Sequence, residues 1–149
     1  MKRADTIWHA EEKWIETILS GDIEEADVIE WEQSLERAFN QIPAISSFKI
    51  LVDLFGFKAV SLAVHKRYRD IIPFTLSRYN WKVGYVDLFE EASQMTFSTT
   101  RNISCVAAVH VHQDEEKIGK YQERFGRANE QFMTDPVRAR QWIRYFPIY

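Results

Sequence analysis

The stretch "FKILVDLF", residues 48–55, is apolar at nearly every position over the length of one strand. A strand of this composition is buried on both faces, as in the centre of a parallel or mixed sheet. The stretch "ISCVAAVHVH" at 103–112 has the same character and predicts a second buried strand. Gly56 follows the first of them and lets the chain turn. The two stretches therefore predict a central sheet with helices on one or both faces.

The residues before the first buried strand predict a hairpin and a helix. "TIWHAE" (6–11) and "WIETILSG" (14–21) are rich in aromatic and β-branched residues, which favours two strands, the second ending at Gly21. In residues 22–41, apolar side chains recur at three- and four-residue spacing and form one helix face: Val28, Trp31, Leu35, Ala38 and Phe39. Pro43 stops this helix.

The residues between the two buried strands predict one helix and one strand. A helix is expected from about Ser61 to Tyr79, with Pro73 kinking or breaking it. "WKVGYVDLF" at 81–89 predicts a further strand. Residues 90–102 are polar and lack periodicity, so we expect a long connection there.

The C-terminal part predicts helix, strand and helix. Asp114 is the expected N-cap of a helix whose buried stripe is Ile118, Tyr121, Phe125 and Ala128. Residues 130–134 predict a short strand. The closing helix has Asp135 at its cap and Pro136 at its first position, and its inward side chains are expected to be Val137, Trp142 or Ile143, and Phe146. This alternation predicts one α/β domain over residues 1–149, with a mixed sheet of four to six strands.

Composition excludes several classes of protein. The formal net charge is −3 and no polybasic run occurs, which argues against binding of nucleic acid. No apolar stretch approaches the roughly 20 residues of a membrane-spanning helix. A single cysteine, Cys105, excludes an internal disulfide, and the first residues lack the apolar region of a signal peptide. We therefore expect a cytoplasmic protein.

His110 and His112 lie two residues apart, so in a strand their side chains point to the same side. Some zinc and iron sites use this spacing, and Asp114 is a candidate third ligand. The alternative is that both histidines line a pocket or simply end the strand. Ligands commonly bind at strand ends in open α/β sheets, which makes both histidines candidate ligand-binding residues.

Four other residues are candidates for ligand binding. Asp53 and Asp87 each follow an apolar run in the same "VDLF" context, and two carboxylates at neighbouring strand ends can act as an acid/base pair. The alternative is that each carboxylate caps the following turn. Trp81 and Tyr85 belong to an aromatic-rich part of the chain, which fits an apolar ligand pocket or a dimer surface as well as ordinary core packing.

Known catalytic motifs do not occur in this sequence. It contains no Walker loop, no dinucleotide-binding glycine pattern, no nucleophile elbow and no H-E-x-x-H helix. Cys105 sits in an apolar neighbourhood, where cysteines are inert packing residues. We therefore expect no cofactor and favour a protein that is not an enzyme. A tight carboxylate–imidazole cluster at the strand ends would reverse that preference.

Four segments carry a resemblance to a known fold. They are "LSGDI" (19–23), "ILVDLFGF" (50–57), "CVAAVHV" (105–111) and "EQFMTDPVRARQWI" (130–143). Together they resemble the STAS fold of anti-sigma-factor antagonists, and in particular the SpoIIAA-like (STAS/SEC14-like) group of small bacterial proteins. The resemblance implies a single-domain STAS-like α/β fold in which an N-terminal β-hairpin and packed helices surround a mixed sheet.

The resemblance also implies a function. The chain would be a non-enzymatic regulatory domain whose partner is another protein, a second copy of itself or a small apolar ligand. The family's phosphorylatable serine falls on Leu62 or Ala63 here, so the usual phosphoserine switch is not expected, and Ser61 is the nearest candidate for phosphorylation. The alternative function is a metal-dependent or acid/base enzyme that uses His110, His112 and nearby acids.

Overall fold

The computed structural model describes residues 1–148, which form a mixed six-stranded sheet with packed helices. The strands are β1 (Arg3–His9), β2 (Trp14–Ile23), β3 (Ser46–Asp53), β4 (Phe57–Ala59), β5 (Ile103–Val111) and β6 (Glu130–Met133). The helices are α1 (Glu25–Phe39), α2 (Leu62–Tyr68), α3 (Ile71–Ser77), α4 (Glu115–Phe125) and α5 (Pro136–Tyr145). The predicted α/β class with a mixed sheet is confirmed.

The sheet has the strand order β1-β2-β3-β5-β6. β1 and β2 form the predicted antiparallel hairpin, and the pairs from β2 to β6 are parallel. β3 and β5 are neighbours at its centre, as their apolar composition predicts. Gly21 does not end β2, contrary to expectation: it has a φ of +95°, and the strand continues to Ile23 while pairing with β4.

Helices cover the sheet on both faces. On one face the predicted stripe of α1 is buried in a large core that also includes α2 and α3. On the other face Ala139 and Ile143 of α5 pack on Leu51 and Val109. Val137 is 60% exposed, contrary to prediction, because the buried stripe of α5 runs through Ala139 and Ile143, four residues apart.

A bulge in β5 decides which of its side chains face which layer. Cys105 and Ala107 pair with consecutive residues of β3, so Val106 is an extra residue in β5. The in/out alternation therefore shifts by one position at Val106. Cys105 and Ala108 both join the α1–α3 core, whereas Ala107 packs on the α5 side. His110, two residues after Ala108, consequently faces the same side as Ala108.

Residues 81–89 do not form the predicted strand. They form turns and a single 3-10 turn at Val86–Leu88, although Trp81 and Val83 are buried as a strand interior would be. The reason lies in the sheet, where both edges of β5 are already occupied by β3 and β6. The segment is anchored instead through Gly84, whose N–H donates to the Glu130 carboxylate at 3.0 Å. Residues 90–102 form short 3-10 turns and one isolated bridge between Thr99 and Tyr79, as expected for a connection.

The helix expected over residues 61–79 is broken into α2 and α3 at Arg69 and Asp70. Pro73 lies in the first turn of α3, where its ring would clash with the carbonyl of Arg69 in a continuous helix. Asp114 caps α4 as predicted, since its Oδ1 accepts the Lys117 N–H at 3.1 Å. Ala128 lies beyond the end of α4 and is exposed, contrary to prediction.

None of the helices in residues 1–148 combines the length with the apolar character that crossing a bilayer requires.

Candidate functional site: an aromatic cavity at the strand ends

A cavity of about 150 Å³ lies where the carboxyl ends of β3 and β5 meet α2 and α4. We call it the aromatic cavity. Its lining residues are Val52, Leu54, His65, Tyr68, Arg69, Ile72, Tyr85, Phe89, His110, Val111, His112, Lys117, Ile118, Tyr121 and Phe132. Ligands of open α/β proteins bind at this end of the sheet. An apolar cavity of about this size can hold one benzene ring.

Aromatic rings pack against one another along the cavity wall. His110 stacks on Phe132 with the ring centroids 4.7 Å apart, because the two residues are direct partners across β5 and β6. Tyr85 meets His110 edge-on at 5.6 Å and lies 5.6 Å from Tyr121. Aromatic pairs in these arrangements stabilise each other beyond their buried area. The wall is therefore built from rings whose orientations are held by their neighbours.

His110 is paired with a buried carboxylate. Its Nε2 lies 2.9 Å from Oε2 of Glu130, and Glu130 is fully buried. The Gly84 N–H donates to Oε1 of Glu130, and the Arg127 guanidinium forms an ion pair with the same oxygen at 3.1 Å. Burial acts to raise the pKa of Glu130, but the His110 hydrogen bond and the charges of His110 and Arg127 outweigh it and lower that pKa. Glu130 is thus an ionised acceptor that needs donors on both oxygens.

The Glu130 contact also sets the tautomer of His110. An ionised carboxylate requires a donor, so Nε2 of His110 carries a proton, and Nδ1 is an acceptor whenever the ring carries only that proton. No hydrogen bond to Nδ1 is present in residues 1–148. A histidine that is oriented by a carboxylate and has its second nitrogen unused can accept a proton from a bound molecule.

His112 is oriented by a different contact. Its Nδ1 accepts the Asp114 N–H at 3.1 Å, which leaves Nε2 as the protonated nitrogen. Burial, followed by the positive charge of Lys117, lowers the pKa of His112. The pKa of His65 is lowered for the same two reasons, with Arg69 adding to the effect. Both imidazoles are therefore neutral donors or acceptors near pH 7.

Tyrosine hydroxyls are the other polar groups of the cavity. Burial raises the pKa of Tyr68 to about 12 and raises that of Tyr85 well above its usual value. Both phenols are therefore protonated at neutral pH and can donate to a ligand. Tyr68 stacks on Phe57 with centroids 4.2 Å apart, which fixes its ring.

The structure brings together three of the six residues predicted to bind a ligand, since His110, His112 and Tyr85 all line the aromatic cavity. Trp81 is buried outside it, with the Arg127 guanidinium 4.7 Å above its ring. Asp87 is not at a strand end; its side chain is 75% exposed and 3.4 Å from Lys82.

Asp53 lies on the other side of the sheet from the cavity. Its Oδ1 accepts the Phe55 N–H at 3.0 Å, which is the turn-capping role considered above. Its Oδ2 is 3.8 Å from Arg140 of α5. Burial raises the pKa of Asp53. The structure therefore does not pair Asp53 with Asp87 as an acid and a base.

The metal and phosphorylation candidates have local structural roles. Asp114 uses its carboxylate to cap α4, and His110 is paired with Glu130. Residues 1–148 contain no group of three histidine, cysteine, aspartate or glutamate side chains arranged to hold a metal ion.

Ser61 is the exposed N-cap of α2 and accepts the Val64 N–H at 3.2 Å. Its phosphorylation stays a prediction. Burial raises the pKa of Cys105, which fits the predicted inert role.

Sequence reasoning missed Glu130, although it is the partner of His110. Glu130 begins a short strand, and it would indicate a partner for His110 only if β5 and β6 were known to be neighbours. The sequence alone does not give that strand order. His65, Arg69 and Lys117 were also missed, because nothing in the sequence indicates that α2 and α4 face the same cavity.

Comparisons of this chain with family models, with curated protein sequences and with solved structures give no match.

Proposed function

We propose that this protein is a STAS-like regulatory domain that binds a small ligand with an aromatic or apolar body in the aromatic cavity. The observation that carries the proposal is the cavity itself: about 150 Å³ of space at the carboxyl ends of the central strands, walled by three tyrosines and two phenylalanines. Ligand sites are typically apolar, with a few polar groups that set orientation. The tyrosine hydroxyls and the three histidines of the lining would supply those groups.

The topology supports the STAS-like part of the proposal. An N-terminal hairpin, a central β3 followed by the Gly56 turn, a β5 that leads into α4, and a closing α5 follow one another in the order that the resemblance implies. Regulation through protein contacts remains a prediction of the same resemblance. The exposed side chains of Phe55, Val60 and Leu62, beside β4, are available for such contacts.

Titration with fluorobenzene, followed by ¹⁹F NMR, tests the proposed cavity. We expect a saturable shift that is lost in Ile118→Phe, because Ile118 is a buried lining residue and a larger side chain fills the space. Ile72→Phe fills the same cavity from α3 and guards against a folding defect of the first variant. Circular dichroism would check the fold of both variants.

Ile7→Phe is the matched control, since Ile7 is 43% exposed on β1 and lies outside the cavity. It should bind fluorobenzene as the unmodified protein does. Absence of saturable binding to the unmodified protein, or equal binding by all three variants, would contradict the proposal.

The His110–Glu130 pair is a tight carboxylate–imidazole contact at the strand ends, which is the observation expected to reverse the preference against an enzyme. It therefore favours a second candidate function of equal standing, proton transfer on the bound ligand. A proton would move from an acidic carbon of the ligand to Nδ1 of His110. The Nε2–H group of the same ring would keep its hydrogen bond to Glu130. This arrangement is the base-and-orienter geometry of general base catalysis. It differs from the enzyme alternative predicted from sequence in that Glu130, not Asp114, is the acid that contacts His110.

Phenylacetone in D₂O is a direct probe of this second function. If His110 acts as a base, the protein should exchange the α-hydrogens of the ketone for deuterium faster than buffer does, and His110→Gln should remove the excess rate. His65→Gln, which changes another lining histidine, is the control. Exchange at the buffer rate, or equal exchange by His110→Gln, would rule proton transfer out.

A further inference from the structure

The aromatic cavity is lined by basic side chains and by no acidic ones. Its cations are Arg69 and Lys117, and three histidines, His65, His110 and His112, add hydrogen-bonding groups. The chain as a whole has the opposite balance, with 22 acidic residues against 19 lysines and arginines. A concave site lined by one sign of charge raises the local concentration of ligands of the opposite sign.

The positive charges of this lining are only partly neutralised by the protein. Lys117 makes no ion pair within residues 1–148; its Nζ lies 5.6 Å above the Tyr121 ring. Arg69 has one carboxylate neighbour, Glu91, at 3.5 Å. The ion pair is open to water on both sides, so Arg69 can still contact a ligand.

The remaining carboxylates nearby are occupied elsewhere. Asp114 accepts the Lys117 N–H at the start of α4, and Glu130 accepts from His110 and Gly84 and is ion-paired with Arg127. His112 has Nε2–H as its donor, because its Nδ1 is used by the Asp114 N–H. Lys117 and His112 therefore present donors at the cavity without an acceptor of their own.

We propose that the ligand of the aromatic cavity is an organic anion, namely a single aromatic ring that carries a carboxylate on a short arm. This inference rests on the proposed function and specifies its ligand class. The ring occupies the cavity against the wall that Tyr85, Tyr121 and Phe132 form by packing on one another, and the carboxylate lies toward Lys117, Arg69 and His112. Hydrogen bonds from charged donors to a carboxylate are stronger than neutral ones, so the anion is preferred over a neutral molecule of equal size.

Paired titrations with phenylacetate and 2-phenylacetamide, followed by ¹H–¹⁵N NMR, test this preference. The two probes have the same ring and nearly the same shape, and only the first is charged. We expect phenylacetate to bind about tenfold more tightly, which corresponds to one charge-assisted hydrogen bond. Lys117→Gln should remove most of that difference, because it weakens phenylacetate far more than 2-phenylacetamide.

Lys120→Gln is the matched control, because it removes the same charge from the same helix at an exposed position outside the cavity. It should keep the full preference for phenylacetate. Equal affinities for the two probes in the unmodified protein would overturn the anion inference and leave the proposed cavity function standing. Failure of both probes and of fluorobenzene to bind would overturn the two together. Equal loss of preference in Lys117→Gln and Lys120→Gln would show long-range charge rather than a carboxylate contact and would also overturn it.

Discussion

On the α5 face of the sheet, Arg140 contacts two buried carboxylates, whereas on the cavity face Lys117 contacts none. Arg140 Nε lies 2.7 Å from Glu16 Oε2 and its guanidinium is 3.8 Å from Asp53. Lys117 and Arg140 are both long, partly exposed cations on helices that pack on one sheet. Arg140 holds α5 on the sheet through its ion pairs, and Lys117 remains available to bind a ligand. The difference separates charges that stabilise the fold from charges that can serve a ligand.

Burial is matched by pairing throughout the α5 face. Glu16 also accepts from His9 at 3.0 Å, and its hydrogen bonds to His9 and Arg140 lower its pKa although burial acts to raise it. Lys49 is buried, and its Nζ donates to the carbonyls of Arg144 and Phe146 at the end of α5, at 2.8 Å each. Glu16 and Lys49 are therefore buried charges that both have partners, which stabilises the packing of α5 on the sheet.

On the cavity side, Glu130 is a buried charge with partners, like the charges of the α5 face. Its removal should have the largest effect on the free energy of unfolding. Glu130→Ala leaves the His110 and Gly84 donors without their acceptor and removes the ion-pair partner of Arg127. We expect the free energy of unfolding, measured with urea, to fall by about 3 kcal/mol. Glu123→Ala, at an exposed position of α4, should change it little. Equal stability of the two variants would show that the pair around Glu130 does not hold this side together.

Arg140→Gln should have the next largest effect. It leaves Glu16 with His9 alone and Asp53 with no cation in contact, so buried negative charge is uncompensated. We expect a loss of about 2 kcal/mol in the free energy of unfolding, reduced from a fully buried pair because Arg140 is partly exposed. Arg138→Gln, on the exposed side of the same helix, is the control. A loss no larger than that of the control would contradict a structural role for the charges of this face.

Two of the cavity histidines, His65 and His112, should make stability depend on pH. Their pKa values are lowered in the folded protein, by burial first and by Lys117 next. The unfolded chain therefore binds more protons below about pH 6.5, and the stability present above that pH is lost as the pH falls toward the folded pKa values. Lowering the pH from 7.5 to 5.5 should reduce the free energy of unfolding. In the double variant His65→Gln/His112→Gln, this reduction should be smaller by a few tenths of a kcal/mol, a modest amount because both rings are partly solvated. Urea midpoints at the two pH values would show it; an unchanged pH dependence would contradict it.

Lys117→Gln should have the smallest effect on stability. No ion pair is lost, so the free energy of unfolding should change by less than about 0.5 kcal/mol. Thermal unfolding measured beside Arg140→Gln makes the contrast direct. A loss as large as that of Arg140→Gln would mean that Lys117 is structural, and the contrast between the two faces would fail.

Much of the fold could be predicted because periodicity and capping are local signals. The stripe of α1, the buried character of β3 and β5, and the Asp114 cap were all visible in short windows of sequence. The segment at 81–89 was misread because an apolar alternation reports burial, and burial is possible outside a sheet. Its Gly84 N–H contacts Glu130 instead of a neighbouring strand.

The sequence by itself determined most of the segments that become helices and strands, and it brought His110, His112 and Tyr85 forward as candidates. The tertiary structure alone decided what those side chains meet. The extra residue Val106 sets the face on which His110 lies, and the pairing of β5 with β6 brings Glu130 to it across 20 residues. A hydrophobic pattern specifies burial but not partners, and partners depend on the strand order, the bulge and the packing of α2 and α4 on one cavity.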